Sequence, residues 1–76
     1  MARLWYFVLV HQGKWMISFQ HVYYGPFPTR QEAIETAIDW AHVHGLAGHD
    51  SRVVLQEDDR FEIQWTYGKD SYPPNT

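Results

Sequence analysis

The stretch Trp5-Tyr-Phe-Val-Leu-Val-His-Gln-Gly-Lys-Trp-Met-Ile-Ser-Phe19 decides how the whole chain is read. It contains two apolar runs separated by His11-Gln12-Gly13-Lys14, a short turn in which Gly13 is free to take positive φ. The run after the turn alternates: Trp15, Ile17 and Phe19 point one way, and Met16, Ser18 and Gln20 the other. The run before it is apolar on both faces, with Trp5, Phe7 and Leu9 on one side and Tyr6, Val8 and Val10 on the other. A hairpin is therefore predicted, from about Arg3 to Val10 and from Trp15 to His21, and its first strand belongs inside a sheet.

Working outward, Val22, Tyr23 and Tyr24 read as extended chain ending at Gly25-Pro26. Thr29 followed by Glu32 fits a capping box and opens a helix predicted over Thr29 to His44, with Gly45 as its left-handed cap. At ~100° per residue, Ala33, Ile34, Ala37, Ile38, Trp40, Ala41 and His44 make one stripe. Because that stripe is rich in alanine, the helix can lie close to a sheet whose large side chains come from the strands. A third strand follows at Ser51 to Gln56, a turn at Asp58-Asp59, and a fourth strand in which Phe61, Ile63, Trp65 and Tyr67 alternate with Glu62, Gln64 and Thr66.

The fold class predicted is α+β: a two-layer β-β-α-β-β domain over residues 1–68, one helix on a four-stranded, mainly antiparallel sheet, with a polar tail over 69–76. Strand order 2-1-3-4 makes all neighbours antiparallel. Order 1-2-3-4 instead requires a parallel crossover between strands two and three.

Composition narrows the functional classes. The 76 residues are 45% hydrophobic and include four Trp, five Tyr and four Phe, enough for one dense core layer but no more, since a chain this short buries only ~60% of its unfolded surface. Cysteine is absent, so thiolate chemistry, disulfides and Cys-based zinc sites are excluded. The apolar run Leu4 to Val10 is too short for a signal peptide or a membrane span, and a cytoplasmic protein is the expectation. The net charge is −3, and the six Lys and Arg are scattered, which argues against nucleic acid as a partner.

"GKW", "FPTRQEAIETA", "VVLQEDDRFE" and "YGKDSYPP" together resemble domain of unknown function 2188, a family of short bacterial proteins. The resemblance covers nearly the whole chain and implies the same fold, but no reaction, cofactor or catalytic residue. Asp58-Asp59 stands where that family usually has Asp-Gly, and Asp70-Ser71-Tyr72-Pro73 where it has Asp-Pro.

Candidate chemistry is sparse. His42 and His44 are two apart on the helix and point ~200° from each other, so they cannot share a ligand. Glu35, Asp39 and His42 do share a face, but a solvated helix surface accounts for them, and no metal or other cofactor is expected. Glu57, Asp58 and Asp59 sit in a hairpin turn, where they are solubilising. With no paired carboxylates in a cleft and no nucleophile motif, a non-enzymatic binding or protein-interaction module is expected.

The two-sided first strand supplies the candidate surface. If Trp5, Phe7 and Leu9 join Trp15, Ile17, Phe19, Phe61, Ile63 and Trp65 under the helix, then Tyr6, Val8, Val10, Met16 and Val54 share the outer face. That face is expected to make a homodimer or meet a protein partner, unless Tyr72-Pro73-Pro74 folds back to cover it. The alternative is a weak single-stranded nucleic-acid platform, with Tyr6 and Tyr23 or Tyr24 stacking on bases.

Overall fold

Three two-residue turns set the architecture. In the computed structural model, which describes residues 3–74, Gln12-Gly13, Gln20-His21 and Asp58-Asp59 each place both residues at φ between +51° and +77°. Two successive positive φ values match the right-handed twist of a β-hairpin. The chain runs β1 (Arg3–His11), β2 (Lys14–Phe19), β3 (Val22–Phe27), α1 (Arg30–Leu46), β4 (Asp50–Glu57) and β5 (Arg60–Thr66). These strands form one sheet in the order β3-β2-β1-β4-β5, with α1 across one face. The α+β class is as expected from the sequence, whereas the four-stranded antiparallel sheet is not. Residues 1–2 of the expected domain and 75–76 of the expected tail lie outside the described residues.

The extra strand is β3. Gly25-Pro26 does not break it, because β3 is an edge strand, where a missing N–H is tolerated. Gly25 at φ +135° lies in the irregular stretch between the Trp15↔Phe27 and Ile17↔Tyr24 pairings. This added reversal has a topological consequence. With β3 in place the chain enters β4 in the direction of β1, so the central pair is parallel, Leu4 opposite Ser51 and Val8 opposite Leu55. All other pairs are antiparallel.

The helix begins as predicted: the Glu32 backbone N–H donates to Thr29 Oγ1 at 3.1 Å, a cap worth ~1 kcal/mol. Ala33, Ala37 and Ala41 are fully buried, with Ile34 and Ile38 beside them, and the helix rests on β4, β1 and β2. It ends later than predicted. Gly45 is helical and buried, and the chain leaves through Ala47 to Gly48 at φ +95°. There the Gly48 N–H donates to the Gly45 carbonyl and the His49 N–H to the His44 carbonyl, the paired bonds of a Schellman ending. Gly45 lacks a side chain for a different reason, since a Cβ there would stand 2.1 Å from Cγ of Tyr67.

The core beneath the helix contains Tyr6, Val8, Ile17, Val53, Leu55 and Trp65, with Trp15, Phe19, Phe27, Trp40 and Tyr67 at its margin. The expected facing of β1 is therefore inverted. Its own pattern is apolar on both sides, so neighbours decide: Val8 pairs with Ile17 and Tyr6 with Val53, and these partners face the helix.

Candidate functional site: the open sheet face

Inverting β1 moves the other half of its apolar residues outward. Trp5, Phe7 and Leu9 lie on the sheet face away from α1, level with Met16 and Ser18 of β2 and Val54 of β4. β5 contributes two residues that its sequence alternation assigned to the core. An irregularity at Gln64, between the Val53↔Trp65 and Val54↔Ile63 pairings, shifts the strand by one residue. Trp65 and Tyr67 consequently face the helix side, while Phe61 and Ile63 turn outward, 64% and 51% exposed.

The five residues expected to form one surface are divided by this geometry. Tyr6 and Val8 are core residues, and Val10 follows their parity beyond the helix, half exposed. Met16 and Val54 do lie on the outer face. Val54 is buried there by its neighbours on that face, since it belongs to no cluster beneath the helix. Phe7 and Phe61 meet edge to face at 6.1 Å. No residue of the sequence marks the β5 irregularity, so Phe61 and Ile63 could not be assigned outward from their pattern alone.

One end of the face is basic and aromatic. The guanidinium groups of Arg3 and Arg52 stand 5.1 and 4.9 Å from the Trp5 ring, within cation–π range. Arg52 Nε also donates to Asp50 Oδ1 at 3.3 Å. At the opposite end lie Leu9, Gln56 and the Asp58-Asp59 turn. His11 and Tyr23 stack at 4.1 Å along the flank.

The described part of the tail packs elsewhere. The Trp65 indole N–H donates to the Ser71 carbonyl at 2.9 Å, and the Tyr72 hydroxyl donates to Asp39 Oδ1 at 2.7 Å. Tyr72 also stacks on His42 at 3.7 Å. These contacts bind the tail to the helix side, over the gap between α1 and β5. The hydrogen bond to Asp39 raises the Tyr72 phenol pKa above its ordinary value. Asp39 and His42, which share a helix face with Glu35, are thus engaged by Tyr72. Among the described residues no three His, Cys, Asp or Glu side chains converge.

Glu57 lies 3.8 Å from Arg30 at the surface, an exposed pair worth at most ~1 kcal/mol. Tyr6 is the most perturbed group: burial, with Tyr24 nearby, pushes its phenol up to about 12. It packs among Phe19, Trp40 and His44. No helix of the described residues is long and apolar enough to cross a membrane. No family model, curated protein or solved structure matches the chain.

Proposed function

We propose that the protein is a small, non-enzymatic, cytoplasmic interaction module that forms a homodimer through the open sheet face. The observation that carries this reading is the exposure of Phe61 and Ile63 beside Phe7, Leu9 and buried Val54, on a face that neither the helix nor the described part of the tail covers. Two such faces packed together supply the second core layer that a chain of this length otherwise lacks. A two-fold pairing with strand directions reversed also sets the Arg3 and Arg52 end of one copy against the Asp58-Asp59 end of the other. Fully burying a Phe or Ile side chain contributes ~1.5–3 kcal/mol, so several per copy are needed to offset the ~4–15 kcal/mol cost of association. The resemblance to domain of unknown function 2188 belongs to the same reading and adds no activity to it.

Sedimentation of the full chain tests this directly. A concentration-dependent dimer that Ile63→Glu converts to a monomer is the expected result. A chain that remains monomeric up to ~1 mM rejects the proposal.

One observation favours a second reading. Trp5 with two guanidinium groups, on an open sheet face that also carries Phe7 and Phe61, is the arrangement on which single-stranded nucleic acid stacks. Binding of a single-stranded oligonucleotide that weakens with salt and is lost in Trp5→Ala would replace dimerisation as the role of this face.

A further inference from the structure

A second site lies on the opposite side of the sheet. Tyr6, Phe19, Tyr24, Trp40 and His44 line a solvent-open recess of about 280 Å3. Its walls come from β1, β2, β3 and the last two turns of α1. All five lining residues are aromatic, and none is a lysine, arginine, aspartate or glutamate.

The rings combine a stack with two walls set across it. Tyr6 and Phe19 lie face to face at 4.2 Å and 11°, and His44 is inclined to them by only 32° and 29°. Trp40 stands at 55° to Tyr6, and Tyr24 and Trp40 meet at 75° with centroids 5.5 Å apart. Three ring orientations therefore border one small space.

The chemistry of that space selects its ligand. Aromatic faces carry negative potential, and the carbonyl end of α1, whose last turn includes His44, adds to it. An anion is disfavoured on both counts. A primary ammonium would surrender strong hydration without a carboxylate to replace it. The volume falls just below the ~300–1,000 Å3 of pockets for drug-sized ligands, which suits a head group rather than a nucleotide. A cation with an apolar periphery and no hydrogen-bond donors meets every condition.

We propose that this recess binds a trimethylammonium group, carried either by a choline-type small molecule or by a trimethylated lysine side chain. Charge and shape are both required. Tyr24, 40% exposed on the edge strand, forms one wall of the recess and is the member most easily removed without disturbing the core.

The test is a nuclear magnetic resonance titration of the full-length protein at pH 8, following the Trp40 indole. Choline and its neutral isostere, with carbon in place of the quaternary nitrogen, are compared. Saturable choline binding, roughly tenfold or more tighter than the isostere and weakened about tenfold by Tyr24→Leu, is expected. Contacts from the choline methyls to the Trp40 and Tyr24 rings, observed in the unaltered protein, are expected independently of any variant. A trimethyl-lysine peptide run beside unmodified peptide then identifies the source. Tighter binding than choline assigns the site to a protein side chain, and weaker binding assigns it to a small molecule. Equal affinity for the neutral isostere, a shift that does not saturate, or methyl contacts elsewhere on the molecule would each overturn the proposal.

Discussion

Replacing Gly45 with alanine should destabilise this protein, although helix propensity alone points the other way. An interior Gly→Ala change ordinarily favours a helix by ~1 kcal/mol. Here the new methyl would stand 2.1, 2.2 and 2.7 Å from three atoms of the Tyr67 ring, all far inside contact distance. Tyr67 cannot simply swing clear. Its ring packs between His42 and Trp65, and its backbone N–H donates to the Ser51 carbonyl at 3.0 Å. Overpacking of this kind costs ~1–3 kcal/mol, and a collision with a ring's attachment carbon belongs at the upper end. Subtracting the propensity gain leaves a net loss of ~2 kcal/mol. With a urea m-value of ~1 kcal/mol/M for so small a domain, the midpoint should fall by ~2 M. The sign must then reverse when Tyr67 is first changed to alanine. In that background Gly45→Ala should stabilise by ~1 kcal/mol, giving a coupling of ~3 kcal/mol between the two positions. Stabilisation in the unaltered background, or equal effects in both, would refute the assignment of Gly45 as a packing glycine.

Other outcomes follow from the same structure. Ala37→Leu, at a position with no exposed surface, should lower the denaturation midpoint by the equivalent of ~1–3 kcal/mol at constant m-value. Replacing Gln20-His21 with Asn-Gly should raise thermal stability by ~1–2 kcal/mol, because both residues hold positive φ without the relief those types provide. The Tyr6 phenol is raised from 10.0 to about 12, so the native state keeps its proton where the unfolded chain loses it. This group's contribution is therefore undiminished below pH ~10 and falls at up to ~1.4 kcal/mol per pH unit between ~10 and ~12, and Tyr6→Phe should reduce the slope in a series of urea titrations to the part left by Tyr72, whose phenol is also raised.

Much of this was legible wherever one residue type has one conformational use. Gly13 and Asp58-Asp59 marked their turns, Thr29 its cap, and the alanine stripe the helix face that meets the sheet. Gln20-His21 carried no such mark. Glutamine and histidine are not hairpin residues by type, so the turn that creates β3 was invisible, and with it the parallel direction of β4. Gly45 and Gly48 lie three apart, and only packing against Tyr67 separates the contact glycine from the terminating one. The outer sheet face was half legible: that one side of β1 must be left outside followed from its composition. Which side followed from cross-strand partners, and the β5 irregularity at Gln64 had no local signal at all.

The parallel pairing of β1 with β4 also constrains how the chain is born. On a ribosome, residues 3–27 can close the β1–β2–β3 meander by local turns alone. Its β1 edge then remains an open row of backbone donors and acceptors, apolar above and below, until Leu55 has emerged to complete the ladder. At ~5–20 residues per second that interval lasts several seconds. During it the nascent chain presents an unpaired strand edge, apolar on both faces, of the kind that pairs with other chains.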